Sequence, residues 1–192
     1  MIESTNSESA GESVALSSAI RFCHWLSALA VLYLLISSWW MLSLPLPSEN
    51  STFRELPFQL HKNVGITLFL VLLAMLASFT LRSIKEKDGA DFKRRLTVKI
   101  AHSLMYLVLI VCCLTGYLSS SFSGWGTELW WLLDLPTWAQ ESDDLNALFS
   151  DLHVWSCWLL LLLIAVHVGG ALHHSFNSDG VTDSMFRSPY KK

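Results

Sequence analysis

Four long apolar segments, separated by polar stretches, dominate the pattern of hydrophobic and polar positions along the chain. They cover residues 21–44, 60–81, 100–119 and 152–172. Each is close to the about 20 apolar residues that a helix needs to cross the hydrocarbon core of a bilayer. The pattern therefore predicts an all-α, integral membrane four-helix bundle over residues 21–178, with a polar N-terminal tail at 1–20 and a basic C-terminal tail at 179–192.

Composition supports a bilayer as the solvent. Of the 192 residues, 52% are hydrophobic and 15% charged, and the mean hydropathy is +0.42, whereas soluble domains carry about 25% charged residues. Residues 1–20 hold no lysine or arginine, so they do not match a secretory signal and are expected to form a loose, uncleaved tail. No CxxCH motif occurs among the four cysteines, which excludes covalent c-type haem attachment on this pattern. No nucleic-acid signal is present.

The positive charges of the loops predict the orientation. The loop at 82–99 and the C-terminal tail carry most of them: Arg82, Lys85, Lys87, Lys93, Arg94, Arg95, Lys99, Arg187, Lys191 and Lys192. The other two loops hold only Arg54 and Lys62. By the positive-inside rule, both termini and the middle loop are expected in the cytoplasm. Most of the arginines near that surface, such as Arg21, serve this charge bias.

A long external loop is predicted between the third and fourth spans, from about residue 122 to 151. It interleaves six acidic residues with four tryptophans: Glu128, Asp134, Glu141, Asp143, Asp144, Asp151, Trp125, Trp130, Trp131 and Trp138. Tryptophan prefers the membrane interface. Residues 128–135 contain no helix breaker, so a short surface helix is expected there.

All seven histidines lie in or beside a span, where ionisable side chains are costly and mark functional sites. His153 and His167 are fourteen residues apart, nearly four helical turns, so both leave one face about 21 Å apart. His24 matches His167 in depth, and His61 matches His153. Two stacked pairs, His24 with His167 and His61 with His153, are predicted to bind the iron of two haem b groups. The arginines near the cytoplasmic surface, such as Arg21, could then pair with haem propionates, because a guanidinium matches a carboxylate fork.

Small residues follow each of these histidines by four positions, and we expect them to leave room for a flat macrocycle: Ala28, Gly65, Cys157 and Ala171. The alternative is that the histidines bond across helices and that the small residues only allow close packing. His102 has no free partner at its level, so a structural hydrogen bond or a contact to a propionate or quinone is expected. His173 and His174 are expected either to meet quinone headgroups or to anchor the interface.

Several motifs resemble those of the prokaryotic cytochrome b-561 family. They are RFCHW in the first span, LHKNVG in the second, AHSLMY and TGYL in the third, and DLHVW and AVHVGGALHH in the fourth. The resemblance covers about residues 17–178 and extends in ligand layout to the cytochrome subunits of nickel hydrogenases and formate dehydrogenases. It places the axial ligands on His24, His61, His153 and His167.

The resemblance implies a dihaem cytochrome of the bacterial inner membrane that exchanges electrons with quinone in a respiratory chain. Two alternatives stay open: a superoxide:ubiquinone oxidoreductase, and a haem-bearing anchor subunit of a dehydrogenase or hydrogenase. The acidic external loop disfavours an anionic substrate and suits a basic periplasmic electron-transfer protein. A metal transporter is a distant further alternative, since the spans lack carboxylates. Besides lipid and quinone, a homodimer would be the default assembly.

Overall fold

The computed structural model describes residues 3–44, 55–85, 92–136 and 139–176, with side chains at residues 18–44, 55–78, 99–136 and 139–176. Four helices form the fold: α1 (Glu3–Ser43), α2 (Glu55–Lys85), α3 (Phe92–Phe122) and α4 (Asp143–Phe176). A short antiparallel hairpin, β1 (Thr127–Leu129) and β2 (Leu133–Leu135), lies between α3 and α4. The predicted all-α membrane fold is confirmed, because all four helices are long and apolar enough to cross a membrane.

Helix α1 begins at Glu3, so the prediction of a loose segment over residues 1–20 is wrong for the backbone from residue 3 onward. The physical reason is the absence of any proline before Pro45, because only proline strongly opposes helix continuation. Pro45 and Pro47 follow the end of α1, as expected for residues that cannot continue a helix. The domain boundaries at 20/21 and 178/179 stay predictions.

The ends of α3 and α4 are tied together by backbone and side-chain hydrogen bonds. Gly124, with φ 74°, turns the chain after α3, as glycine commonly does beyond a helix end. Ser142 caps α4 through its hydroxyl, which accepts the Leu145 amide at 3.4 Å, and its own amide donates to the Phe122 carbonyl at 3.0 Å. Asn146 donates from Nδ2 to the Ser119 carbonyl at 2.7 Å. These contacts make α3 and α4 a closely packed pair.

The core lies where all four helices meet. It is formed by Val31 of α1, Leu68 of α2, Val108 and Cys112 of α3, and Leu160 of α4. Leu160 stands seven residues, about two turns, from both His153 and His167. An apolar layer therefore separates two ends of the bundle. We call the end that carries the β-hairpin the hairpin end, and the other the opposite end.

The outward surface of the helices is apolar along its length. Large side chains such as Leu29, Trp39, Leu162 and Val166 are each more than half exposed. Monomeric soluble proteins rarely present apolar patches of this extent to water. Together with the four membrane-length helices, this surface is that of a multi-pass membrane protein.

The predicted surface helix at 128–135 is wrong. The segment forms the β-hairpin instead, with Thr127 opposite Leu135 and Leu129 opposite Leu133. Trp130 and Trp131 take positive φ angles of 50° and 57°, a conformation that is uncommon outside glycine. The reason lies in the tertiary structure. Side chains of α2 form hydrogen bonds with the hairpin backbone and so stabilise the hairpin over a helix.

Candidate functional site

Helix pairing brings the predicted histidines together in two groups. At the hairpin end, the ring centroids of His61 on α2 and His153 on α4 are 6.3 Å apart. At the opposite end, those of His24 on α1 and His167 on α4 are 6.4 Å apart. Both pairings follow the depth arithmetic of the sequence, because His153 and His167 leave the same face of one helix, α4.

The separation of each pair suits two ligands on opposite sides of one metal ion. Two metal–imidazole bonds of about 2.0–2.1 Å and two ring radii of about 1.1 Å place such centroids about 6.3 Å apart. A direct hydrogen bond between the rings would bring them closer. The two separations, 6.3 and 6.4 Å, therefore fit an intervening metal ion better than a histidine–histidine hydrogen bond.

The His153 ring has a defined tautomer. Its Nδ1 lies 2.9 Å from the Cys112 carbonyl oxygen, and because a carbonyl only accepts, Nδ1 carries the proton. Nε2 of the neutral ring then keeps its lone pair, as an axial ligand requires. The neighbour of Nε2 is the Cys157 thiol, at 3.7 Å, which is a weak donor. The backbone of α3 thus holds His153 in the tautomer that an axial ligand requires.

His24 and His61 each present a buried Nδ1 with no hydrogen-bond partner among the described residues. Buried polar atoms are rarely left unpaired in proteins, and each exception needs an explanation such as an absent ion or cofactor. One such nitrogen occurs in each pair. This observation and the ring separations both indicate that the two pairs fit a metal-centred group.

Glycines shape the hairpin-end pair. At Gly65 on α2, an added Cβ would meet nothing within 4 Å, so open space lies beside the turn that follows His61, as expected for a bulky group. At Gly116 on α3, an added Cβ would lie 3.0 Å from Cε1 and Nδ1 of His153. The missing side chain at Gly116 thus lets the His153 ring lie close against α3, where it reaches the Cys112 carbonyl.

His102 lies at the opposite end, with its ring centroid 5.2 Å from that of His167. That separation is shorter than the centroid distance of about 6.3 Å expected for two rings that bind one metal ion. His24 is therefore the better candidate than His102 to share a metal ion with His167. His102 therefore stands beside this pair, as its level in the sequence indicated. His173 and His174 lie at the end of α4, 5.8 Å apart and edge to face. Their contact with quinone stays a prediction.

Two residues of the hairpin end were missed by reasoning from the sequence. Gly116 belongs to the TGYL motif, and Asn63 to LHKNVG. Asn63 is fully buried and holds the hairpin through two hydrogen bonds. A polar side chain inside an apolar span was the signal for Asn63, because such residues need an internal partner. For Gly116 no signal was available beyond its place near the level of His153.

The cationic residues expected near haem propionates are only partly described. Arg21 donates from Nη2 to the Ser18 hydroxyl at 3.2 Å. The side chains of Arg82, Arg94 and Arg95 lie outside the described residues. The structure thus leaves the propionate contacts as predictions.

A membrane bundle of four helices with a histidine pair at each end is the architecture of a b-type membrane cytochrome. The family model of prokaryotic cytochrome b561 matches residues 15–188, and the chain belongs to that family. It is 27% identical to cytochrome b561 homolog 2 of Escherichia coli (strain K12) over 157 aligned residues, and this alignment covers 80% of each of the two chains. Membership implies haem b binding and electron transport, in agreement with the fit of the histidine pairs.

Proposed function

We propose that this chain is a dihaem b-type cytochrome that passes electrons between quinone and an external donor or acceptor in a respiratory chain. His61 with His153, and His24 with His167, would each hold one haem b. The observation that carries the proposal is the near equality of the two ring separations, 6.3 and 6.4 Å, at two levels of one bundle. When bound, the haems supply the one-electron carriers.

The protein itself contributes position and access. The Cys112 carbonyl and Gly116 hold the His153 ring in one tautomer and orientation. The apolar layer of Val31, Leu68 and Leu160 keeps water from the space between the two levels. Axial ligation and burial are the means by which a protein sets haem potentials. No residue between the two pairs has to transfer a proton for electrons to pass.

The orientation is part of the proposal. The positive charges at 82–99 and in the C-terminal tail favour a bacterial inner-membrane protein with both termini in the cytoplasm and the hairpin end outside. The quinone site is then proposed at the opposite end, where His102 lies beside the His24–His167 pair and His173 and His174 follow on α4.

The first test counts haems and identifies the end at which quinol donates. Pyridine haemochrome analysis of the purified protein is expected to give two haem b per chain. A short-chain quinol added anaerobically should reduce the haem that remains in His153→Ala rapidly, because the opposite-end pair is intact. The haem that remains in His167→Ala should be reduced slowly.

Three results would count against the proposal. Absence of haem would remove it entirely. Equal quinol reduction of both variants would remove the assignment of the quinone end. The third result concerns the rival function, a superoxide:ubiquinone oxidoreductase, and is obtained by adding enzymatically generated superoxide in place of quinol. Rapid reduction by superoxide of the haem retained in His167→Ala would favour that rival.

The hairpin end suits a basic protein partner better than an anion. Seven carboxylates there are exposed: Glu55, Glu128, Glu141, Asp134, Asp143, Asp144 and Asp151. Residues 100–176 contain no lysine or arginine, and Lys62 donates to the Trp125 and Gly126 carbonyls. Such a surface would attract cationic partners and repel superoxide.

Neutralising the hairpin carboxylates is expected to slow electron exchange with a basic soluble cytochrome. Glu128 and Asp134 face each other across the two strands, where like charges are destabilising, so Glu128→Gln with Asp134→Asn should fold at least as well. At low ionic strength the second-order rate, measured by stopped flow, should fall about tenfold. Reduction by neutral quinol serves as the control and should not change. A rate unaffected by the double substitution would eliminate this partner.

A further inference from the structure

The tip of the β-hairpin is apolar and exposed. Residues 129–133 read Leu-Trp-Trp-Leu-Leu, without a charge. Leu132 is 88% exposed and Trp131 51% exposed. Isolated apolar side chains on a surface are ordinary, but these are contiguous and protrude from one turn, so a partner surface is expected for them.

The tip is fastened to the side of α2. Asn63 donates from Nδ2 to the Glu128 carbonyl at 2.9 Å, and its Oδ1 accepts the Trp130 amide at 2.9 Å. The Trp130 indole donates from Nε1 to the Thr67 hydroxyl at 3.1 Å. Non-helical backbone is tolerated at membrane depth only where protein groups satisfy it. Asn63 does this for two groups of the hairpin.

The level of this attachment can be read from the histidines. Asp151 is exposed and precedes His153 by two residues, so the membrane surface lies close to the level of the His61–His153 pair. Thr67 lies six residues beyond His61 on α2, about 9 Å further into the bundle at 1.5 Å per residue. The Trp130 indole therefore reaches below the membrane surface.

The surface next to the tip belongs to a membrane span. Leu70 follows Thr67 by three positions and Asn63 by seven, so the three share one helix face. Leu70 is 59% exposed and lies inside the span Glu55–Ser78, so it faces lipid. The hairpin tip thus continues a lipid-facing stripe of α2.

We propose that the hairpin tip, residues 130–133, inserts into the leaflet at the hairpin end, which is the outer leaflet in the proposed orientation, with lipid acyl chains as its partner. The indoles of Trp130 and Trp131 take the interfacial position that tryptophan favours. Asn63 is the anchor that holds the inserted tip and its two positive-φ tryptophans. The proposal does not depend on haem binding; it rests on the membrane span and on the hydrogen bonds of Asn63.

A nitroxide label at Leu132→Cys, in the full chain reconstituted in lipid nanodiscs, tests the insertion. Collision with oxygen, which concentrates in lipid, is compared with collision with a water-soluble nickel chelate. The unsubstituted chain, labelled in parallel, gives the background from the four native cysteines. Gln140→Cys, exposed in the same loop, is the matched control.

Oxygen collisions should exceed nickel collisions severalfold at residue 132, and the order should reverse at residue 140. Nickel dominance at both positions would show that the tip stands in water and would overturn the proposal. A label at 132 that neither reagent reaches would overturn it in favour of a protein partner such as a second copy.

The anchor has its own test. Asn63→Ala in the Leu132→Cys background should raise nickel accessibility at residue 132, because the hairpin loses both hydrogen bonds. Gln59→Ala, which removes only the contacts to the Gly126 carbonyl and the Glu128 amide, should shift the accessibility less. If Asn63→Ala leaves the label as lipid-exposed as before, Asn63 is not the anchor. If that variant does not fold, Leu132→Cys alone decides the insertion.

Discussion

His153→Ala and His167→Ala are each expected to lose one of two haem b groups, and to lose different ones. Each substitution removes one proposed axial nitrogen of one pair, while the other pair lies about 21 Å away along α4 and keeps both of its histidines. Haemochrome analysis should give one haem per chain in either variant. A redox titration should change from two steps to one, with a different midpoint surviving in each variant.

Two further histidine variants make this result specific. His173→Ala, on the same helix, should retain both haems, because it lies beyond the two pairs. His102→Ala should also retain both, since His102 stands 5.2 Å from His167 rather than at the separation of a shared metal ion. Loss of a haem in His102→Ala, with retention in His24→Ala, would replace His24 by His102 as the partner of His167. Two haems in both His153→Ala and His167→Ala would refute the bis-histidine sites.

Gly116→Val is expected to abolish the hairpin-end haem without changing either ligand. An added Cβ would stand 3.0 Å from two atoms of the His153 ring, and the larger valine side chain would push the ring away from α3 and from its 2.9 Å hydrogen bond to the Cys112 carbonyl. Overpacking of this kind costs about 1–3 kcal/mol, and a displaced ligand also loses its metal bond. Haemochrome analysis should give one haem per chain.

The comparison variants separate a local effect from general misfolding. Gly116→Ala, a smaller intrusion, should give a haem content between those of Gly116→Val and the unsubstituted chain. Gly169→Val on α4 meets open space, with nothing within 4 Å of an added Cβ, and should retain both haems. The midpoint that survives in Gly116→Val should match the one that survives in His153→Ala. Two intact haems in Gly116→Val would show that the ring has room to move.

The sequence by itself determined the four spans and the two histidine levels. Both depend on short-range rules: a bilayer requires about 20 apolar residues for each helix, and 3.6 residues per turn fix which side chains share a face. Each rule applies within one continuous segment of the chain, so the helices that pack against that segment need not be known. For the same reason His24, His61, His153 and His167 could be paired by depth alone.

The path of the loop after α3 could not be read in this way. Residues 128–135 contain no helix breaker, yet they form a hairpin, because Asn63 and Thr67 bind its backbone and its indole from more than 60 residues away. Local propensity is a weak prior that tertiary contacts override. The N-terminal segment was misjudged in the opposite direction, since polar composition alone does not prevent a helix.

Only the tertiary structure decided how the His153 ring is held. The carbonyl that orients His153 belongs to Cys112, forty-one residues away, and the glycine that admits the ring is on the same neighbouring helix. Neither role can be recognised in a sequence. Every residue has a backbone carbonyl, and a glycine that makes room for a ring looks like any other glycine. The sequence thus determined which histidines are candidates to bind a metal, and the packing of α3 against α4 decided the orientation and tautomer of the His153 ring.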